Sequence, residues 1–185
     1  MGQYYKIAFN YDGKVLVSQC LGKLMEFSWI HGHAADSVAS RIFHVPTKFA
    51  FIGDYADDEA PYVKDVTNGA ITQGKVWGSH AKRDFKVWHG LFNYKGLKFV
   101  NHDKEEYIDF DKYIGGRDPW KDEEYVVNPI PLMTAIGNGR GSGDYRGQSC
   151  PDVDKVGTWA WDLCSIETDV PDGFKEIKVG FRCSM

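Results

Sequence analysis

The sequence predicts an α+β protein: one domain, residues 1–185, on a mostly antiparallel or mixed β-sheet of short strands, with one or two helices. Three observations carry this. Aromatic residues make up 15% of the chain and glycines number 20, a composition that favours short strands and frequent turns over long helices. Short apolar runs are punctuated by turn formers such as Asp12-Gly13 and Pro171-Asp172-Gly173. Only one segment has a convincing helical period. A doubly wound parallel fold would need alternating strands and helices, which the sequence lacks.

Taken in order, "YYKIAFNYDGKVLVSQ" reads as two strands around Asp12-Gly13, a dipeptide suited to a tight hairpin turn. In "HAADSVASRIFHV", Ala35, Val38, Ala39, Ile42 and Phe43 recur at three- and four-residue spacing, and Pro46 closes the helix. "KFAFIGDYADDEAP" is a buried strand that breaks at Gly53 into an acidic loop. "LKFVNHDKEEYIDF" is a hairpin turning near Asn101 to Lys104, with Phe99, Tyr107 and Ile108 in its strands. The closing "GTWAWDLCSIETDVPDGFKEIKVGFR" supplies two more strands around Pro171-Asp172-Gly173.

Composition narrows the function classes. A net charge of −4 argues against general coating of nucleic acid, although a local basic patch is compatible with it. The start "MGQYYKIAFN" has neither the basic nor the apolar region of a signal peptide, and Lys6 stands where a myristoylation motif wants serine or threonine. No apolar run approaches the roughly 20 residues that cross a bilayer. Cys20, Cys150, Cys164 and Cys183 are far apart with no C-x-x-C pair, so the expectation is a cytoplasmic protein with reduced thiols.

The stretch richest in candidate chemistry is "GNGRGSGDYRG", residues 137–147. It is not a P-loop, because no lysine falls within it, and Asp144 stands where the dinucleotide fingerprint needs its last glycine. The generic argument remains. Gly137, Asn138, Gly139, Gly141 and Gly143 allow backbone N–H groups to approach a ligand and form an anion nest. Arg140 and Arg146 can each grip a phosphate or carboxylate with two hydrogen bonds, and Asp144 and Tyr145 offer a base and a hydroxyl. Long Gly/Asn/Ser loops also exist without ligands, but loops of this length are more often functional.

Other clusters carry weaker signals. "GDYADDEA" gathers Asp54, Asp57, Asp58 and Glu59 with Tyr55 after a strand, where oxygen ligands for divalent cations collect, but it lacks the EF-hand spacing. "DVDKVG" at 152–157 fails that spacing too, with Val156 and Leu163 at ligand positions. His31 and His33 would share one strand face with Asp36 nearby, yet zinc or iron needs a third ligand and no second cluster declares itself. His44, His80, His89 and His102 are scattered. No nucleophile elbow occurs, and no cysteine has a recognisable catalytic setting. The site reading therefore assigns no metal, no cofactor and no catalytic residue.

Charge divides the middle of the chain. Residues 75–98 hold six Lys/Arg against one acid, interleaved with Trp77, Phe85, Trp88, Phe92 and Tyr94; residues 101–124 hold nine acids against four bases. The first pattern resembles a stacking platform for single-stranded nucleic acid, but the preferred reading is a β-hairpin with aromatics inward and lysines outward.

"MGQYYK", "LMEFSWI", "FIGDYADD", "FVNHDKEEYID", "PIPLMTAIGNGRGSGDYRG" and "VGTWAWDL" together make the chain resemble an uncharacterised family of bacterial and phage-borne proteins. That family opens Met-Gly-Gln-Tyr-Tyr and carries GDYAD and GNGRG-x-GDY segments. The likeness runs through nearly the whole chain. It implies one intact unit in which the GDYAD and GNGRG segments lie together, and it brings no activity and no catalytic residue. Three function classes follow from the sequence. The first is a cytoplasmic binding protein holding an anionic, nucleotide-like small molecule in the 137–147 loop, in a phage or mobile-element setting. The second is a protein-interaction module that inhibits a larger host enzyme through its acidic 101–124 surface. The third is a metal-assisted hydrolase using Asp54, Asp57 or Asp144.

Overall fold

Alternating apolar residues at the start of the chain lay down the centre of a sheet. A computed structural model describes residues 3–12, 14–19, 21–28, 33–56, 76–77, 90–113, 124–137, 145 and 150–184. β1 (Tyr4–Tyr11) and β2 (Lys14–Val17) form an antiparallel hairpin. The register pairs Tyr11 with Lys14, so the turn has two residues, and Asp12 takes the left-handed φ of +50° that a primed hairpin turn requires. β3 (Gly22–Lys23) pairs beside the start of β1, with Lys23 opposite Tyr4.

Two helices follow, α1 (Leu24–Ser28) and α2 (His33–Ile42). The second is the helix expected from the three- and four-residue spacing, and Val38, Ala39 and Ile42 are buried on it. His33 opens this helix, which corrects the expectation of a strand carrying His31 and His33. A helix here is favoured by alanines at 34, 35 and 39 and by Asp36 in the first turn, where the positive end of the dipole welcomes a carboxylate. His31 lies outside the described residues. β4 (Thr47–Gly53) then runs antiparallel to β1, with its 49–53 segment fully buried.

β5 (Lys98–Asn101) and β6 (Glu106–Asp109) form the second hairpin, with four residues between the paired Asn101 and Glu106 and Glu105 at φ +54°. The expected hairpin over 75–98 is corrected where it is described: Val76 and Trp77 are helical, and Gly90–Leu97 has no strand. The remainder of that stretch lies outside the described residues. After β6 come α3 (Phe110–Tyr113), β7 (Glu124–Val126), α4 (Pro129–Met133), β8 (Ala135–Ile136), a 3-10 turn (Val153–Lys155), β9 (Leu163–Glu167), β10 (Lys175–Glu176) and β11 (Arg182–Ser184).

Nine strands form one mixed sheet in the order β10-β6-β5-β9-β4-β1-β2, with β3 on β1 and β8 on β4. β10 on β6 and β8 on β4 are parallel, and the other pairings in this sheet are antiparallel. β9 and β10 flank the turn at Pro171-Asp172-Gly173 without pairing with each other, because the β5–β6 hairpin lies between them. β11 and β7 make a separate antiparallel pair. The architecture is α+β. Of α1 to α4, only α2 exceeds five residues. None is long and apolar enough to cross a membrane.

The main core lies on one face of the sheet. Tyr5, Ile7 and Phe9 of β1 meet Phe49 and Phe51 of β4, Phe99 of β5 and Ile166 of β9, under Phe27, Val38, Ile42, Ile130 and Leu132 of the helices. Ring pairs bind this layer together, including Phe9 to Phe49 at 5.5 Å and Phe99 to Trp159 at 4.9 Å. The opposite face carries a smaller cluster of Ala8, Val17, Ala50, Ile52, Ile136, Ala160 and Trp161.

Candidate functional site

The two glycine-containing loops singled out by the sequence leave the sheet side by side. β4 and β8 are parallel neighbours with Phe51 opposite Ala135 and Ile52 opposite Ile136, so Gly53 and Gly137 are the next residues on adjacent strands. The acidic loop and the glycine-arginine loop therefore start at the same end of the sheet. The ends of parallel strands are where α/β sheets commonly collect ligands, because the loops diverge there.

Local contacts fix the first of these exits. The Asp54 N–H donates to the Tyr4 carbonyl at 2.9 Å, and Asp54 Oδ1 accepts from the Tyr4 N–H at 3.1 Å. Asp54 thus extends the β1–β4 ladder by one residue. The Ala56 N–H then donates to the Gly53 carbonyl at 3.2 Å, turning the chain and leaving Tyr55 57% exposed. A Cβ at position 53 would lie 2.4 Å from Nε2 of the buried Gln3, so a larger residue there displaces that side chain, whose Oε1 accepts from the Tyr5 hydroxyl. Asp57, Asp58 and Glu59 lie outside the described residues.

The second exit is pinned at both ends. Gly137 is buried at the end of β8. Tyr145 is 1% exposed and sits edge-on to Phe181, 5.4 Å between ring centres. Its hydroxyl donates to the Pro151 carbonyl at 2.7 Å and accepts from the Arg182 N–H at 3.2 Å. Tyr145 is thus an anchor of the C-terminal segment, where the sequence suggested a hydroxyl for a ligand. Asn138, Gly139, Arg140, Gly141, Gly143, Asp144 and Arg146 lie outside the described residues.

Beside these exits the structure adds a pairing that sequence patterning did not foresee, between Lys6 and Trp77. Lys6, opposite Ile52, is only 7% exposed, and its ammonium lies 4.3 Å from the centre of the Trp77 ring. The Trp77 indole N–H donates to the Ile52 carbonyl at 3.2 Å, which holds the ring over the end of β4. A cation–π contact at this distance is worth about 0.5–2 kcal/mol, more when desolvated. Lysine is normally read as a solvent-facing residue, so alternation alone gave no reason to single it out.

Other candidates are occupied by internal contacts. In the acidic stretch, Asp103 Oδ2 accepts from the Leu163 N–H at 2.9 Å and pairs with Lys48 at 3.3 Å. Partial burial pushes the Asp103 carboxyl up, but the Leu163 N–H, Lys48 and Lys104 outweigh this and hold it below the usual aspartate range. Glu106 accepts from the Trp159 indole, Asp109 Oδ1 from the Asp111 N–H, and Asp111 from the Gly96 N–H. Lys104 is paired with Asp162, which also accepts from the buried Asn101 amide at 2.7 Å. The described part of 101–124 therefore spends most of its acids on its own fold. Residues 114–123 lie outside the described residues.

A groove of about 330 Å3 lies between β6, α3 and residues 176–179. Its Lys112 ammonium already pairs with Glu176 at 2.5 Å and with Asp109 at 3.6 Å, so its charge is neutralised in place. Hydrogen bonding to Lys112 holds the Glu176 carboxyl below the usual glutamate range. Tyr94 donates to the buried Asp36 at 2.8 Å, and burial together with that carboxylate pushes the phenol well above its ordinary value. His102 Nε2 is 2.8 Å from Ser165 Oγ, but Ser165 is fully buried and cannot meet a substrate. His44 Nδ1 is 2.6 Å from Glu167. No three of His, Cys, Asp and Glu among the described residues are placed to hold a metal ion. Cys164 is a free thiol, and burial raises it well above its ordinary pKa, which keeps it protonated and unreactive. The side chains of Cys20 and Cys183 lie outside the described residues.

No protein-family model, curated protein or solved structure matches this chain.

Proposed function

We propose that the chain is a cytoplasmic binding protein for an anionic, nucleotide-like small molecule, held at the shared end of β4 and β8. The observation that carries this reading is the parallel pairing that makes Gly53 and Gly137 neighbours, with the Lys6 ammonium fixed close by over Trp77. In this reading the glycines at 139, 141 and 143 supply backbone N–H groups, and Arg140 and Arg146 grip the phosphates. Asp144 and the acidic loop from Asp54 to Asp57 provide acceptors for hydroxyl groups on the ligand. A bacterial or phage setting, in which such a protein sequesters a signalling molecule, accords with the resemblance of its motifs. No step of bond breaking is assigned to it.

Binding of nucleoside phosphates measured by titration calorimetry tests this. Arg140→Ala weakens binding by about 1.5–3 kcal/mol, the worth of a charged hydrogen bond. Equal affinity of the variant and the parent protein removes Arg140 from the site, and no binding by any anion removes the site itself.

A further inference from the structure

Resting on that reading, we propose that Tyr4 is a stacking platform for an aromatic base, which makes the ligand a nucleoside phosphate and excludes a plain phosphate or sugar phosphate. Tyr4 and Lys6 are two residues apart on β1 and therefore project from the same face of the sheet. Lys23 on β3 is the direct partner of Tyr4, and directly opposed residues share a face. Tyr4 thus shares one face with Lys6 and Lys23 at the end of the sheet where the 54–59 and 137–147 loops begin. This is the face opposite the main core, whose members on β1 are Tyr5, Ile7 and Phe9.

The arrangement is held in place. Lys6 is nearly buried and held over Trp77, its ammonium 4.3 Å from the centre of that ring. The Lys23 ammonium has no ion-pair partner among the described residues, and its backbone is held by the Glu26 carboxylate at 2.9 Å. Tyr4 is 42% exposed, although its backbone is bonded on both sides, to Lys23 on β3 and to Asp54 beyond β4. A large aromatic left open on a rigid strand needs little ordering to receive a second ring. Tyr55, exposed one residue past Asp54, offers an aromatic neighbour at the same exit. Stacking on an aromatic side chain tolerates every base, because every base presents a π-face. Lys23, the cross-strand partner of Tyr4, favours a base that carries phosphate over a neutral nucleoside.

The test compares ADP, GDP, CDP and UDP with inorganic pyrophosphate by titration calorimetry on the full chain. At least one nucleoside diphosphate binds about tenfold or more tightly than pyrophosphate, a difference of about 1.4 kcal/mol. Tyr4→Ala removes that advantage and leaves the pyrophosphate affinity unchanged, whereas Tyr4→Phe keeps it. Should Tyr4→Ala fail to fold, Tyr4→Leu retains an apolar side chain of similar bulk and lacks only the ring. A nucleotide-to-pyrophosphate ratio near one in the parent protein overturns the proposal. So does a ratio that survives both Tyr4→Ala and Tyr4→Leu. If Arg140→Ala still abolishes pyrophosphate binding in those cases, the loop site stands without the platform. Failure of every anion to bind the parent protein removes both.

Discussion

Along β1, Tyr5, Ile7 and Phe9 enter the helix-covered core, whereas Tyr4, Lys6 and Ala8 face the other way. The same alternation divides β4, where Phe49 and Phe51 oppose Ala50 and Ile52. One face is aromatic and sealed by α1, α2 and α4. The other has small residues at its centre, with Ala8 directly opposite Ala50, and polar or cationic residues towards the end where the loops leave. Period-two alternation lets one set of strands present two different faces: in the proposed reading, changes on the first act on stability and changes at the end of the second act on binding.

Substitutions on the two faces sharpen this contrast. The largest effect is on the sealed face: Phe51→Ala costs about 3–5 kcal/mol of stability by removing a buried ring that packs against Phe27 at 5.6 Å. Chemical denaturation measures that loss, and ligand affinity of the remaining folded protein stays within about twofold, a difference of roughly 0.4 kcal/mol. A Phe51→Ala protein that is stable but no longer binds would erase the distinction between the faces. The Tyr4 variants are the mirror case, losing base selectivity while holding most of their stability.

An intermediate effect comes from the anchor of the glycine-arginine loop. Tyr145→Phe removes the hydroxyl that bonds both the Pro151 carbonyl and the Arg182 N–H, for a cost of about 1–3 kcal/mol. Hydrogen exchange at the Arg182 amide rises in this variant, and unchanged protection would contradict the assigned bond.

The smallest effect is electrostatic. The Asp103 carboxyl is held below its ordinary range, so it stabilises the fold above about pH 4, and that contribution fades as pH falls through its own lower value. With its side chain 40% exposed, the effect of Asp103→Asn at pH 7 stays under about 1 kcal/mol. Denaturation curves of variant and parent converge in acid. A gap that widens as pH falls would reverse the sign of the interaction.

Much of this fold was legible in local pattern. The Asp12-Gly13 hairpin, α2, the burial of β4 and the β5–β6 hairpin all follow from short-range periodicity and turn chemistry, and each is present. Long-range pairing was not legible. β8 is two residues long and carries no strand signature, yet its pairing with β4 is what brings the two candidate loops together. The helix Pro129–Met133 was hidden by its two prolines. They sit in the first turn, where the missing N–H groups have no helical partner to lose, and Asn128 caps Ile130 at 3.0 Å. Of the site, Gly137 and Asp54 were read as loop residues from composition, and the internal contacts of Tyr145 were not foreseen. Its hydroxyl sits in a run of glycines and arginines that looks exposed, and only the 145–181 packing reveals it as core. Lys6 escaped because a lysine in an alternating strand normally faces water, and its contact with Trp77 because the two are seventy-one residues apart in sequence.

A thermal-shift titration with nucleoside phosphates, run on the parent chain and on Arg140→Ala, tests the central claim most directly. Saturation at one hundred times Kd adds about 2.7 kcal/mol, which raises the melting temperature by roughly 5–11 °C for a chain of this size. The account predicts a shift of that order in the parent chain and its loss, or reduction by more than half, in Arg140→Ala. A flat response to every nucleoside phosphate and to pyrophosphate would contradict it and leave the shared end of β4 and β8 without a ligand-binding role.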